Sequence, residues 1–396
     1  MTETKKSQKY LDMMKNIQEN ILLFLEEEAN SEENFRILED LFESTKIKEN
    51  QYELLSFLHL ISKISKNCHR YQNFFNKIEQ ILQIFNEDIK KYFSNSEIFN
   101  IFKRNKRILL FLIEQKIIVI DKFCVRKITK TVKYIKAKYP QYFQPEIQPF
   151  INEEWFPKYD PITKKNGWVE EIKRELPENF YENRKKGEND DELCELIRND
   201  MINEFVVYIT RHAISINSTI QPSIYETNPF LIKMQTNQEH RPNKNQKVGP
   251  SLIEYAMFFG AIQIYDHLRI EHVKLTPSLW IFAIHGKNAD MIHSLEENHV
   301  SLDETYKPIF YESLKCHHND FAKYFLNNFM REEEANSHGT FVKSIKYYNF
   351  SFLKNDLINE FTFIYLCKYD YCAIVQILLE NKDFSPNKKR ILKNNC

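Results

Sequence analysis

The sequence predicts an all-α fold, a helical-repeat solenoid preceded by an α-helical N-terminal region, on three observations. Glycine is scarce: the 396 residues contain 6, at positions 167, 187, 249, 260, 286 and 339. Sheet folds and phosphate-cradling loops draw on glycine for positive-φ turns and close backbone approach, so helices joined by polar turns fit this composition better. Apolar residues recur every three or four positions through the first 139 residues, and one set of apolar offsets returns several times in the second half.

The segments MMKNIQENILLFLEEE, NFRILEDLF, YELLSFLHLISKI and FFNKIEQILQIFNEDIKKYF each carry one apolar face with charges between. Asn34 and Asn50 are expected at the turns between them. No proline occurs before Pro140, and residues 1–139 are read as an α-helical N-terminal domain, either a separate bundle or divergent repeats.

From 140 to 191 the character changes. Pro140, Pro145, Pro149, Pro157, Pro161 and Pro177 are set among Tyr142, Phe143, Phe150, Trp155 and Phe156. Proline removes an amide donor and restricts the residue before it, so long helices are not expected here. The aromatics call for a packed connector, followed by a solvated charged loop, ENRKKGENDD, over 182–191.

Residues 192–386 read as degenerate helix-turn-helix units. Counting from Ala256, apolar residues fall at +8, +9 and +12, at Ile264, Tyr265 and Leu268. Ala283 gives Met291, Ile292 and Leu295; Ser313 gives Phe321, Ala322 and Phe325; Leu366 gives Ile374, Val375 and Leu378; Ile197 gives Phe205, Val206 and Ile209. The anchors at 256, 283 and 313 are 27 and 30 residues apart, close to the ankyrin period of about 33. Small anchor residues allow two helices to approach, a turn reverses the chain at +4 to +6, and the later offsets form the buried stripe of a second helix. Gly260 at +4 is placed to end a first helix. Insertions near 217–250 and 327–340 are expected, the first looping out of the stack, with a degenerate unit near Ser344 and a flexible tail at 387–396.

Five stretches, KYFSNSEIFNIFKRNKRILLFLIE, KAKYPQYFQPEIQPFINEEWF, SLIEYAMFFGAIQIYDHL, SLWIFAIHGKNADMIHSLEEN and SLKCHHNDFAKYFLNN, resemble the uncharacterised ankyrin-type protein family expanded in Trichomonas vaginalis. They run from about Lys90 to Asn328. The resemblance implies an ankyrin-like helical repeat protein without established chemistry. Against the general pattern TPLHxAxxxGHxxxVxxLL, Ser251, Ala256, Gly260, Ile264, Tyr265, His267 and Leu268 match, whereas Leu252, Glu254 and Ala261 depart. Lys287 and Asn288 replace the Gly-His pair in the next unit. Hydrogen bonds that stiffen the usual inter-repeat hairpins are therefore expected to be missing.

Composition narrows function. Fifty-five basic and 55 acidic residues balance, so no global attraction to polyanions is expected. Neither GxGxxG nor GxxxxGK occurs. The first residues, MTETKKSQKYLDMMK, hold no uninterrupted apolar run, and Glu114 and Lys116 interrupt ILLFLIEQKIIVI, so a cytoplasmic protein without membrane attachment is expected. The 7 scattered cysteines do not form a disulfide framework.

Cys316, His317, His318, His285 and His293 invite a metal reading, but no compact set of three or four ligands emerges, and Cys367 and Cys372 lack CxxC spacing. Glu153 with Glu154, and Asp190 with Asp191, are the carboxylate pairs to inspect for acid-base work; a helix N-terminus accounts for the second pair. No catalytic, cofactor-binding or metal residue is assigned, and no small-molecule cofactor is expected.

The strongest charge signal is 103–138, with 12 Lys or Arg against Glu114 and Asp121. It reads either as a solvated helix face paired with Glu26, Glu27, Glu28, Glu32 and Glu33, or as a phosphate-contacting face. The expected function is a non-catalytic protein-protein interaction scaffold with unidentified protein partners. The alternatives are a nucleic-acid-associated protein using the 103–138 face, not favoured, and an unrecognised hydrolase in the connector.

Overall fold

The computed structural model describes residues 3–27, 31–129, 139–156, 172–221, 223–236, 249–302, 306–331, 333 and 337–380. Among these the fold is all-α: helices and short 3-10 turns, with one isolated bridge, Thr219 to Ser251, as the sole extended pairing. The chain divides into two compact units, residues 1–88 with 302–396, and residues 89–301. None of the described helices is long and apolar enough to cross a membrane.

The first unit is built on the helix Glu3–Glu26, whose buried stripe is Tyr10, Leu11, Met14, Ile17, Ile21, Phe24 and Leu25. That spacing places these seven residues on one face, which packs on Ser31–Thr45, Phe74–Ile84 and Cys372–Glu380. Phe42, Phe57 and Phe85 interlock with centroids 4.5 to 5.4 Å apart. Asn50 caps Gln51–Asn67 by accepting from the Tyr52 and Glu53 amides, as expected of it. Asn34 does not occupy a turn. It is buried inside Ser31–Thr45 and donates to Glu27 at 3.2 Å, because acidic Glu32 and Glu33 already suit the first turn of that helix.

A buried amide network joins the first helix to the far end of the chain. Gln18 Nε2 donates to Asn349 Oδ1 at 3.1 Å and its Oε1 accepts from the Phe350 amide at 2.7 Å. Asn349 Nδ2 in turn donates to Leu314 O and Asn319 Oδ1. Gln18 and Asn349 are both fully buried, so each amide group must find such a partner inside the protein.

In the second unit the described part of the proline-rich connector before 157 forms short turns, Tyr139–Tyr142, Gln144–Ile147 and the 3-10 turn Gln148–Phe150, with Tyr142, Phe143 and Phe156 buried. Residues 157–171, including Pro157 and Pro161, lie outside the described residues. The stretch 182–191 is not a solvated loop. The helix Phe180–Lys186 runs into it and ends at Gly187, φ 70°. Arg184 is buried, bridging both Glu146 oxygens at 2.8 and 2.9 Å and stacking on Phe180. An arginine whose planar head is met by a carboxylate and an aromatic face satisfies the conditions for burial.

The repeat units resolve into helix pairs with one shared turn. In the second unit they are Glu192–Arg198 with Ile202–Arg211, Leu252–Phe259 with Ile262–Ile270, and Leu279–Gly286 with Ala289–Glu297. In the first unit they are Lys307–Cys316 with Asn319–Phe329 and Glu360–Lys368 with Cys372–Glu380. From Ala256, Ala283, Ser313 and Leu366 a left-handed residue stands at +4, namely Gly260, Lys287, His317 and Asp370, and the second helix begins at +6. His338–Tyr347 obeys the same count from Ser344, with Tyr348 left-handed, but its second element is only the 3-10 turn Phe350–Phe352. In the first pair the count starts from Leu196, not Ile197: Asp200 is left-handed and the Met201 amide bonds Leu196 O at 3.0 Å. The sequence register was one residue late there because Leu196 and Ile197 are both buried and apolar.

Candidate functional site

A stack of helix pairs acts through whichever faces it leaves open. The first helices of the second unit leave little. Leu252–Phe259 and Leu279–Gly286 are apolar all round and buried nearly throughout, as a helix without a polar face must be. They approach backbone to backbone: a Cβ on Gly286 would lie 2.2 Å from Met257 O. Phe230, in the helix Pro229–Thr236, stacks on Phe258 at 5.8 Å and His285 at 4.4 Å. Ile220, Tyr225, Leu231 and Ile232 are buried with it. The expected looping-out of 217–250 therefore does not hold for 218–232, which packs down on these apolar helices; 222 and 237–248 lie outside the described residues. An open groove along the first helices is likewise not what this unit presents.

Nor are inter-repeat hydrogen bonds missing. Glu254 closes a capping box with Ser251, its Oε2 accepting from the Ser251 amide at 2.8 Å, and its Oε1 accepts from Ser278 Oγ at 2.7 Å. One carboxylate thus caps its own helix and ties it to the start of the next pair, a role the sequence comparison did not give it. Tyr265 and Ser294 link the corresponding second helices at 3.0 Å.

In the helix pairs of the second unit, large apolar residues are exposed on second helices. Val207 is 56% and Ile270 64% exposed, on the adjacent helices Ile202–Arg211 and Ile262–Ile270. In the first unit Tyr324 and Phe329 project from Asn319–Phe329, and Phe329 stacks on Tyr306 at 4.2 Å.

The basic tract is split by burial. Lys106 and Arg107 are inside: Lys106 donates to Ile224 O and lies 4.8 Å from the Tyr142 ring, and Arg107 donates to Lys185 O. Lys103, Arg104, Lys122, Arg126 and Lys127 are exposed, and among the described residues none of the five pairs with a carboxylate. Of the acidic cluster, Glu26 and Glu27 accept from Tyr71 and Asn34, and Glu28 lies outside the described residues. Burial, then the charges of Lys127 and Arg104, hold the Lys103 ammonium below the ordinary lysine value. Asp121, Lys122, Phe123, Arg126 and Lys127 line an open depression. Asp121 caps the helix Lys122–Thr129 through the Cys124 amide at 2.8 Å. Residues 130–138 of the tract lie outside the described residues.

The remaining flagged residues have structural work. His285 stacks against both Phe230 and Phe258 in a three-ring cluster, and His293 is exposed beside Glu296 and Glu297. His317 is the left-handed residue of its turn, with Nε2 3.1 Å from Tyr347 O; a carbonyl only accepts, so Nε2 carries the proton. His318 Nε2 accepts from the His69 amide, and Cys316 O from the Cys68 thiol. Burial first of all pushes the thiols of Cys124 and Cys194 up to about 12 and raises those of Cys316 and Cys372, which disfavours the thiolate a nucleophile needs. Asp191 caps Glu192–Arg198 through the Leu193 amide, and Asp190 accepts from Ser223. Glu153 and Glu154 are exposed on the turn after Phe150, and neither lines the depression at 121–127.

No known family model, curated protein or solved structure matches the chain.

Proposed function

We propose that the chain is a non-catalytic, cytoplasmic protein-interaction scaffold of ankyrin type, akin to the Trichomonas vaginalis family. The observation that carries this reading is the single turn count, left-handed at +4 and a new element at +6, repeated from Leu196, Ala256, Ala283, Ser313, Ser344 and Leu366. Repetition of one supersecondary unit builds surface rather than a catalytic centre. Asp191 as a helix cap, His317 as a turn residue and His285 in a ring stack support the same reading. The docking face in this reading is the exposed side of the helices Ile202–Arg211 and Ile262–Ile270, which carries Val207 and Ile270.

The test is affinity isolation on the full chain at physiological salt with nuclease present, in parallel with a Val207→Glu/Ile270→Glu variant. Both positions are exposed, so the variant keeps its helicity. A protein retained by the wild type and lost from the variant supports the reading; identical sets from both refute the proposed face, and no protein above background refutes the scaffold.

A further inference from the structure

The exposed cations at 103–127 are left over from the scaffold. Their surroundings narrow what they would meet. Lys127 Nζ lies 5.2 Å from the ring of Phe123, which lines the depression, and Lys122 Nζ lies 5.7 Å from the ring of Trp155, so two of the cations that line it each sit over an aromatic ring. Phe123 and Trp155 are both half-buried. Phe99 supports Phe123 edge-on at 5.9 Å, and Phe150 supports Trp155 at 5.8 Å. Lys103 and Arg104, at the end of the helix Asn95–Phe102, extend the charge. Asp121 is the sole acid lining the depression, and its carboxylate is committed to the Cys124 amide and to Asn95.

We infer that this depression, Lys103, Arg104, Lys122, Arg126 and Lys127 around Phe123 and Trp155, binds single-stranded polynucleotide. Cations without carboxylate partners favour a polyanion by charge complementarity, and flanking phosphates release counterions on contact. The aromatic surface selects among polyanions: an unpaired base can lie on a ring while its phosphate meets the adjoining ammonium or guanidinium. A duplex hides its bases in the stack, and an acidic peptide has no use for the rings. The inference goes beyond the scaffold reading and is independent of it, since it uses none of the repeat surfaces.

Fluorescence anisotropy of labelled (dT)15 with the full chain tests it, alongside a 15-base-pair duplex, a poly-glutamate peptide and phosphatidylserine vesicles. The expected result is binding of (dT)15 at low salt, with log K falling against log salt by about 0.7 per phosphate contacted. Lys122→Glu and Lys127→Glu each lower that slope by about 1. Phe123→Ala weakens binding by about fivefold or more, and Trp155 emission, assigned with Trp155→Phe, is quenched by (dT)15 alone. Absence of (dT)15 binding at low salt overturns the inference. Tighter binding of the duplex, or equal binding of poly-glutamate or vesicles with the same dependence on Lys122 and Lys127, overturns it too.

Discussion

Gly286 is the last residue of the helix Leu279–Gly286 and has no left-handed φ, a setting in which replacing glycine by alanine ordinarily stabilises by up to about 0.5–1 kcal/mol through reduced backbone freedom in the unfolded chain. The structure reverses that sign. A Cβ at 286 meets Met257 O at 2.2 Å and Gly260 N at 3.2 Å, and real Cβ contacts essentially never fall below 3.0 Å. The two helices must therefore part by about 0.8 Å, the difference between 3.0 and 2.2 Å. The obstacle is backbone and cannot rotate aside, so the overpacking cost belongs in the upper part of the usual range of about 1–3 kcal/mol. Setting the propensity gain against it leaves Gly286→Ala destabilising by about 1–2 kcal/mol. Urea unfolding followed by circular dichroism at 222 nm should show a lower midpoint with an unchanged slope. A midpoint at or above wild type would mean that the helices at 252–259 and 279–286 do not touch through their backbones.

Ala256→Leu, at a position with no exposed surface, should cost about 1–3 kcal/mol; an unmoved urea midpoint would remove Ala256 from the helix contact. Gly260→Ala should cost about 1 kcal/mol because φ there is 74°, whereas a stabilised variant would show an ordinary helical φ. His317 supplies a pH dependence. Burial first, with the Lys63 charge, lowers its pKa to about 3 in the folded protein, against the pull of the Tyr347 carbonyl. The unfolded chain takes up a proton near pH 6.5 and the folded one does not. Stability is thus full above that value and falls by up to about 1.4 kcal/mol per pH unit as pH drops toward 3. His317→Asn, tolerated at the left-handed turn, should flatten the profile between pH 6.5 and 5; an unchanged slope would count against a neutral buried imidazole.

The helix pairs were legible because their offsets are local: the +8, +9 and +12 residues from Ala256 and Ala283 are all buried. Where several apolar residues adjoin, as at Leu196 and Ile197, periodicity does not fix the register, and only the hydrogen bond of the turn does. Gly286 carried no sequence signal of its role, since a helical glycine made necessary by another helix's carbonyl looks like any other. The roles of Glu254 and Phe230 were hidden for the same reason, because their partners Ser278 and His285 belong to other elements. Within 103–127, charge density was visible, but burial separated Lys106 and Arg107 from the rest, and that depends on where the backbone carbonyls of 185 and 224 fall.

The amide network around Gln18 sets a timetable for biosynthesis. Gln18 and Asn349 are 331 positions apart, and a ribosome adding about 5–20 residues per second needs roughly 17–66 s to make that span. The helix Glu3–Glu26 is made long before Cys372–Glu380 and cannot bury its apolar stripe against that helix until the latter has been synthesised. Residues 89–301, by contrast, are a compact unit contiguous in the chain. Chaperone occupancy should therefore concentrate on the first 88 residues of the nascent chain, and truncation after 301 should leave them exposed and prone to aggregation while the intervening unit remains folded.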